Sequence, residues 1–223
     1  MQKVIHCIWL NGEKTRLAQK CRASWERFAP GWKIVEHGRD EIERQAGVPA
    51  YVTAALAEKK WAFASDWLRF VVLEREGGLY LDYDVELVAS LDRLPEGEWI
   101  AAEWLKHGEW GYNPGSGIAL EAHSDLAKRM LAHYASAVFG TAKTVGDIMS
   151  EILGAPEATQ AIKVLEPEVM SPTDWHGKVH RTDATVGIHH YALSWIGWPR
   201  RIARWLSWHH LDWVVQLALK VRA

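Results

Sequence analysis

The sequence predicts an α/β protein, because strand-like segments alternate with helical ones along the chain. Residues 3–10, "KVIHCIWL", are rich in β-branched and aromatic residues and end at a turn signal, Asn11-Gly12. Residues 15–28 carry apolar side chains at helical spacing, and residues 32–37, "WKIVEH", resemble a second strand. This strand–helix–strand order is typical of a βαβ unit and predicts a central sheet.

The rest of the chain continues the alternation. Residues 39–60 predict one or two short helices, interrupted at 47–49, and residues 61–78 predict a strong helix that ends at a double glycine. A short buried strand, 79–81, follows at once. Further strands are expected at 98–104, 116–122, 161–167 and within 186–195, and further helices at 124–138 and 145–153. Ser124 stands where it can cap the first of these two helices.

Length and composition limit the possible classes of protein. The 223 residues suit one sizeable domain, and the net charge of −2 gives no electrostatic footprint for nucleic acid, so no nucleic-acid partner is expected. Of the two cysteines, Cys7 lies in an apolar strand and is expected to be a buried thiol rather than half of a disulfide. The first residues lack the pattern of a signal peptide, and no window approaches the roughly 18 apolar residues of a membrane span. We therefore expect a cytoplasmic protein.

The segment 77–87, "GGLYLDYDVEL", raises the main functional question. Its apolar run ends in Asp82 and Asp84, and residues two apart on a strand share a face. Ligands of open α/β sheets bind beyond the carboxyl ends of strands. Two carboxylates there suit Mg²⁺ or Mn²⁺ bridging to a phosphorylated ligand, although a solvated acidic turn would show the same residues.

A second pair of charges precedes this segment. Asp66 and Arg69 are three residues apart on the predicted helix 61–78, so they share a face. Their apolar neighbours in "FASDWLRF" favour specific partners for both charges. An aspartate can bind ribose or sugar hydroxyls, and a guanidinium suits a diphosphate or a sugar oxygen. A simple ion pair within the helix is the alternative.

Three segments together resemble a known family. "IHCIWLNG", "WAFASDWLRFVVLEREGGLYLDYDVEL" and "IHHYALSW" resemble, in order and spacing, the signature segments of family 32 glycosyltransferases. These D-x-D sugar transferases include capsule and lipopolysaccharide enzymes and yeast α-mannosyltransferases, and the catalytic domains of clostridial glucosylating toxins are distantly similar. The resemblance covers about residues 3–197. It implies a GT-A type fold, with a Rossmann-like mixed central sheet flanked by helices, and a catalytic domain spanning 1–197.

The resemblance also implies roles for individual residues. Trp9 matches the aromatic residue that stacks on the nucleotide base, and Asp66 and Arg69 match the pair that holds ribose or donor-sugar hydroxyls. Asp82 would contact the sugar or ribose and reach a metal through water, and Asp84 would ligate the metal directly. Asp82, Asp84 and Arg69 are the expected catalytic residues.

The C-terminal segment implies further contacts. His189 or His190 would approach the metal or the diphosphate, with His190 taken as the ligand, and Ser194 and Trp195 match a loop that closes on the diphosphate. Many relatives carry an asparagine beside the donor sugar. Here either Asn113 or Ser116 stands in for it.

The function implied is a metal-dependent, retaining hexosyl transfer. The donor would be a nucleotide-diphosphate sugar, with UDP-sugars favoured, the cofactor Mn²⁺ or Mg²⁺, and the acceptor a glycan or lipid-linked saccharide in surface polysaccharide synthesis. A metal-dependent phosphohydrolase is one alternative, but it normally needs more clustered carboxylates or histidines. A non-catalytic nucleotide-sugar or glycan-binding protein is another. The 14 tryptophans fit sugar stacking, but such a protein would not need the metal.

The tail, residues 198–223, differs from the rest of the chain. It contains four tryptophans and five basic residues against one acidic residue, Asp212. Tryptophan with basic residues favours a membrane interface that carries anionic headgroups. This composition predicts peripheral contact at the cytoplasmic face of a membrane, with packing on the domain or a dimer contact as the alternatives.

Overall fold

The structure, a computed structural model, describes residues 2–106, 108–140 and 143–192. Ser194, Trp195 and the tail 198–223, singled out from the sequence, lie outside the described residues. None of the described helices is both long and apolar enough to span a lipid bilayer.

The described residues form nine strands, seven α-helices and one 3₁₀ turn. The strands are β1 (Val4–Ile8), β2 (Lys33–His37), β3 (Gly78–Tyr80), β4 (Val85–Leu87), β5 (Trp99–Trp104), β6 (Trp110–Tyr112), β7 (Ile118–Leu120), β8 (Lys163–Leu165) and β9 (Gly187–His189). The helices are α1 (Arg16–Phe28), α2 (Arg39–Glu43), α3 (Ala50–Ala57), α4 (Trp61–Glu76), α5 (Asp125–Ser136), α6 (Val145–Leu153) and α7 (Pro167–Met170), with a 3₁₀ turn at Leu91–Arg93.

A mixed seven-stranded sheet forms the centre of the fold. Its order is β2-β1-β3-β7-β5-β6, and β8 pairs with β5. Strand β1 is parallel to β2 and β3, β7 is antiparallel to β3 and β5, and β8 is parallel to β5. The carboxyl ends of β1, β2, β3, β5 and β8 therefore meet at one edge, which is where ligands of such sheets bind. The mixed α/β architecture predicted from the sequence is confirmed.

Apolar side chains cover both faces of this sheet. Because successive strand residues point to opposite faces, Tyr80 and Ile118 belong to one buried cluster, with residues of α3 to α6. Leu79 and Ala119 belong to another, with residues of α1, β4 and α7. Strands β4 and β9 form a separate antiparallel pair. Helices thus lie on both sides, and the sheet edge between them holds the polar side chains.

A double glycine connects α4 directly to β3. Gly77 and Gly78 have φ angles of +65° and +109°, which residues other than glycine rarely adopt. A Cβ at Gly77 would lie 2.6 Å from the Ala122 nitrogen, and one at Gly78 would lie 2.9 Å from the Val4 oxygen. The sharp reversal of the chain therefore needs glycine at both positions. This reversal fixes the start of β3 and so the position of the two aspartates that follow β3.

Several elements differ from the sequence predictions. The strand does not continue through the two aspartates: β3 ends at Tyr80, and residues 83–84 form a turn before β4. Ser124 occupies the N-cap of α5, but its buried hydroxyl makes no hydrogen bond there. The short elements β4, β6 and α7 were not predicted, because three or four residues carry too little periodicity to be recognised. Cys7 is free and buried, as expected, and so is Cys21.

Two buried histidines join β1 and β2 to the end of α4. His6 Nε2 lies 2.9 Å from the Gly77 carbonyl oxygen, and His6 Nδ1 lies 2.9 Å from His37 Nε2. Since a carbonyl only accepts, His6 carries its hydrogen on Nε2 and accepts from His37 at Nδ1. Burial, and then repulsion from His37, lower the pKa of His6 to about 4. The interaction thus requires a neutral His6.

We predict that the free energy of unfolding falls as the pH falls from 6.5 towards 4. In the unfolded chain His6 becomes protonated near pH 6.5, whereas in the folded chain it stays neutral until about pH 4. Acid therefore favours the unfolded state. The loss from this residue is about 3 kcal/mol at pH 4. Denaturant unfolding at a series of pH values should show a smaller pH slope for His6→Gln. The control Gln2→Asn, at an exposed residue without a titratable side chain, should keep the wild-type slope. An unchanged slope in His6→Gln would contradict the assignment.

Candidate active site at the carboxyl edge of the sheet

Two aspartates and one histidine form a candidate metal-binding group. Asp82 and Asp84 lie between β3 and β4, and His189 is the last residue of β9. One ligand atom from each residue lies within 4.8 Å of the others. The antiparallel register places Val85 opposite His189, which brings the imidazole beside the D-x-D turn. Residues 105 positions apart in the sequence thus meet at one point.

Asp84 is held from three directions. Its Oδ1 lies 3.1 Å from His189 Nε2, its Oδ2 accepts from the Ala192 amide at 2.7 Å, and its backbone carbonyl accepts from the His190 amide at 2.9 Å. Burial acts to raise the pKa of Asp84, but the charge and hydrogen bond of His189 and the Ala192 amide outweigh it and lower the pKa to about 2. Asp84 is therefore an ionised carboxylate with a fixed orientation.

Asp82 is fixed by its neighbours and by a close backbone approach. The Tyr80 hydroxyl donates to Asp82 Oδ1 at 2.7 Å, and the Asp82 amide donates to the Gly115 carbonyl at 2.8 Å. A Cβ at Gly115 would lie 2.2 Å from Asp82 Oδ2, so a side chain at this position would push the carboxylate out of its present place. Arg69 Nη2 lies 3.7 Å from Asp82 Oδ1. Asp82 thus belongs to the metal-binding group and also faces the guanidinium of Arg69.

The Asp66–Arg69 pair lies on α4 beside Asp82. Arg69 Nη2 donates to Asp66 Oδ1 at 2.5 Å, and the guanidinium lies 4.5 Å from the centroid of the Tyr80 ring. Burial raises the pKa of Asp66 to about 6, although the charge of Arg69 opposes the rise. Arg69 Nε and Nη1 are buried without a hydrogen-bond partner among the described residues. Unpaired buried donors of this kind are expected where a ligand or water completes the structure.

A polar network lies behind His189. Its Nδ1 lies 2.8 Å from Ser116 Oγ and 3.2 Å from Asn113 Nδ2, and the Ser171 hydroxyl donates to Ser116 Oγ. Asn113 Nδ2 also lies 3.0 Å from Glu103 Oε2. The sequence left open whether Asn113 or Ser116 takes part, and the structure places both against His189. Partners of this kind orient a metal-binding imidazole.

His190 is not part of the metal-binding group, contrary to the choice made from the sequence. Its Nε2 lies 2.8 Å from Glu86 Oε2, and Lys20 Nζ lies 2.7 Å from the same oxygen. The reason is strand alternation: neighbouring residues at the end of β9 point in opposite directions, and His189 is the one that faces Asp84. The sequence could not fix this choice without the register of β9.

Trp9 completes the described wall of a large cleft. It follows β1, donates from Nε1 to the Gly12 carbonyl at 2.9 Å, and meets Tyr83 edge-on with ring centroids 5.1 Å apart. The cleft has a volume of about 810 Å³. The predicted site residues that line it are Trp9, Asp66, Arg69, Asp82 and Asp84, together with His189. Glu103 and Asn113 also line it and were not given a definite role from the sequence.

Comparison with known proteins identifies the class of enzyme. Residues 15–101 match the family described as "Glycosyltransferase sugar-binding region containing DXD motif". A solved structure described as PaToxG glycosyltransferase is 20% identical, with a TM-score of 0.51 over 72% of this chain and 68% of that chain. No curated protein sequence matches.

A second solved structure covers more of the chain. It is a glycosyltransferase involved in the glycosylation of the major capsid of PBCV-1, 13% identical, with a TM-score of 0.50 over 93% of this chain and 98% of that chain. At these identities the likeness concerns the fold, which is consistent with the GT-A type. The fold and the matched region together define a transferase enzyme. The matched region and the structural neighbours support the assignment of this chain as a glycosyltransferase with a DXD sugar-binding region.

We predict that Gly115→Ala weakens metal binding with little change in the fold. The added methyl group would meet Asp82 Oδ2 and displace that carboxylate, and losses at supporting positions of metal sites are about 10- to 100-fold in affinity. Titration calorimetry with Mn²⁺ measures the effect. Gly38→Ala is the matched control, because its methyl group meets only the Asp40 side chain. Wild-type Mn²⁺ affinity in Gly115→Ala would show that this close approach does not fix Asp82.

Proposed function

We propose that this glycosyltransferase is metal-dependent and retaining, and that it moves a hexose from a nucleotide-diphosphate sugar, with a UDP-sugar favoured, to a saccharide or lipid-linked saccharide. The observation that supports it most is the group of Asp82, Asp84 and His189 within 4.8 Å on the wall of an 810 Å³ cleft. The cleft is large enough for a nucleotide-sugar, since small-molecule sites are about 300–1,000 Å³.

The residues present fit a divalent cation. Two carboxylates and one imidazole form a mixed oxygen and nitrogen set, which suits Mn²⁺, and the carboxylates also suit Mg²⁺. Asp84 and His189 would hold the ion directly, with Asp82 close by. When bound, the metal would supply Lewis-acid stabilisation of the leaving diphosphate.

Arg69 provides a second source of positive charge. The guanidinium is 3% exposed, stays ionised, and is oriented by Asp66 and Tyr80. Its unpaired Nε and Nη1 groups are donors suited to ligand oxygens or to bridging water. The neighbouring carboxylates of Asp66 and Asp82 can accept hydrogen bonds from ribose or sugar hydroxyls. The side chains on this wall would therefore bind and orient the donor.

Two further residues suit the nucleotide base of the donor and the attacking hydroxyl of the acceptor. Trp9 lines the cleft just after β1, which is separated from β5 by two strands of the sheet, and it offers an indole for stacking on the nucleotide base. Glu103 lines the cleft at the end of β5 and can accept a hydrogen bond from the attacking hydroxyl. Glu86 is less suited to this role, because it is paired with Lys20 and His190. Retention of configuration is proposed from the family resemblance, by transfer on the front face of the donor.

The cellular setting is also part of the proposal. A cytoplasmic enzyme whose tail 198–223 contacts anionic lipid would reach a lipid-linked acceptor for surface polysaccharide synthesis. We expect the full chain to float with vesicles that contain anionic lipid. A chain truncated after residue 197 should remain unbound in the bottom fraction of the gradient. Equal flotation of both proteins would contradict the membrane role of the tail.

We predict that Mn²⁺ and a nucleotide-sugar together raise the thermal unfolding midpoint, and that Asp84→Asn abolishes this gain. The amide removes the charged ligand atom that faces His189. Thermal denaturation with a panel of UDP- and GDP-sugars, with and without Mn²⁺, measures the effect and identifies the base. Asp92→Asn, an exposed surface carboxylate paired with Lys3, is the control and should respond like the wild type. A wild type that no nucleotide-sugar stabilises would overturn the proposed function.

A further inference from the structure

A second, smaller cleft lies beside the one described above. Its volume is about 260 Å³. One wall is the end of β5 and the turn after it, from Trp104 to Lys106. The other wall is Glu168 of α7 and the hairpin loop from Asp174 to His180. None of these residues takes part in the metal-binding group or in the donor cleft.

The hairpin loop is held in a defined shape. Thr173 and Val179 form an antiparallel bridge at its base. Asp174 Oδ1 accepts from the amides of His176 at 2.8 Å and Lys178 at 2.9 Å, and Asp174 Oδ2 lies 2.7 Å from His180 Nε2. Trp175 lines the cleft from this loop, whose backbone is already held by hydrogen bonds. An ordered loop loses little conformational entropy when a ligand binds.

The side chains in this cleft are of the types that recognise sugars. Trp104 and Trp175 are half-buried, so each can present an apolar ring surface, and Leu105 beside them is 38% exposed. A pyranose ring has a C–H face that packs on such surfaces and hydroxyls that need hydrogen-bond acceptors. Glu168 Oε2 is buried without a hydrogen-bond partner among the described residues. That oxygen is an acceptor which the fold leaves unsatisfied, and a sugar hydroxyl can satisfy it.

The position of the cleft relates it to the donor site. Glu103 lines the donor cleft, and the next residue, Trp104, lines the second cleft. Behind them, the Ser171 hydroxyl bonds Ser116 next to His189, and the chain reaches the hairpin loop three residues later. Both clefts thus open at the end of β5, on the edge where the parallel strands finish.

We infer that the second cleft binds a sugar unit of the saccharide acceptor. This inference rests on the proposed function and names where its second substrate is held. Trp104 and Trp175 pack against the ring, Glu168 accepts from its hydroxyls, and the reacting end of the acceptor extends past Glu103 towards the donor. The chemistry commits the site to a neutral carbohydrate rather than to a phosphate, because the cleft carries two carboxylates, Glu168 and Asp174, beside its basic groups.

The test measures saccharide binding directly, without a donor. Saturation-transfer NMR and tryptophan fluorescence titrations with disaccharides of glucose, galactose, mannose and N-acetylglucosamine report on the wild type, Trp175→Ala and Glu168→Gln. We expect at least one disaccharide to bind the wild type and both variants to bind it about tenfold or more weakly, a loss of about 1.4 kcal/mol or more, because a few central contact residues carry most of the binding energy. Glu166→Gln is the matched control, because Glu166 is an exposed residue just before α7 that does not line the cleft.

A second readout separates this inference from the proposed function. Stabilisation by Mn²⁺ and nucleotide-sugar should be unchanged in Trp175→Ala and Glu168→Gln, since neither residue lines the donor cleft. A wild type that binds none of the disaccharides, or variants that bind them as the wild type does, would overturn the acceptor site even if nucleotide-sugar binding is intact. If Mn²⁺ and nucleotide-sugars do not raise the thermal unfolding midpoint of the wild type, the donor site is overturned instead.

Discussion

The contact between Asp84 and His189 is the interaction on which the site depends. It joins the turn after β3 to the end of β9, across 105 positions in the sequence. The β4–β9 pair brings the two together, and the Ala192 amide and the Ser116–Asn113 network fix the carboxylate and the imidazole respectively. Without this contact the aspartates would be a solvated acidic turn, which is the alternative that the D-x-D motif left open.

Close backbone packing allows the contact to form. Gly77 and Gly78 reverse the chain between α4 and β3 where side chains would collide with the backbone of Ala122 and Val4. Gly115 lets the loop between β6 and β7 come within reach of Asp82. Ala101 holds that loop at both ends, accepting from the Asn113 amide and donating to the Gly117 carbonyl. The polar site is thus built on the rigid edge of the sheet, which favours precise positioning.

Much of the site follows from the sequence, and the remainder has a physical cause. Trp9, Asp82 and Asp84 closely follow buried strands, and Asp66 and Arg69 share a helix face, so sequence pattern and family resemblance together place all five on one cleft. The choice between His189 and His190 depends on the register of a three-residue strand, which no local pattern encodes. The second cleft also has no sequence signal, because it joins Trp104 to Glu168 and Trp175 through the parallel pairing of β5 and β8.

The position of a bound metal ion decides whether Asp84 and His189 form the metal site. Anomalous diffraction at the manganese edge, from crystals grown with Mn²⁺ and a nucleoside diphosphate, locates the ion without reference to activity. We expect a peak within coordination distance of Asp84 and His189, at about 2.0–2.3 Å from their oxygen and nitrogen atoms. A peak at any other group, or an ordered nucleotide in the cleft with no peak beside Asp84, would contradict it.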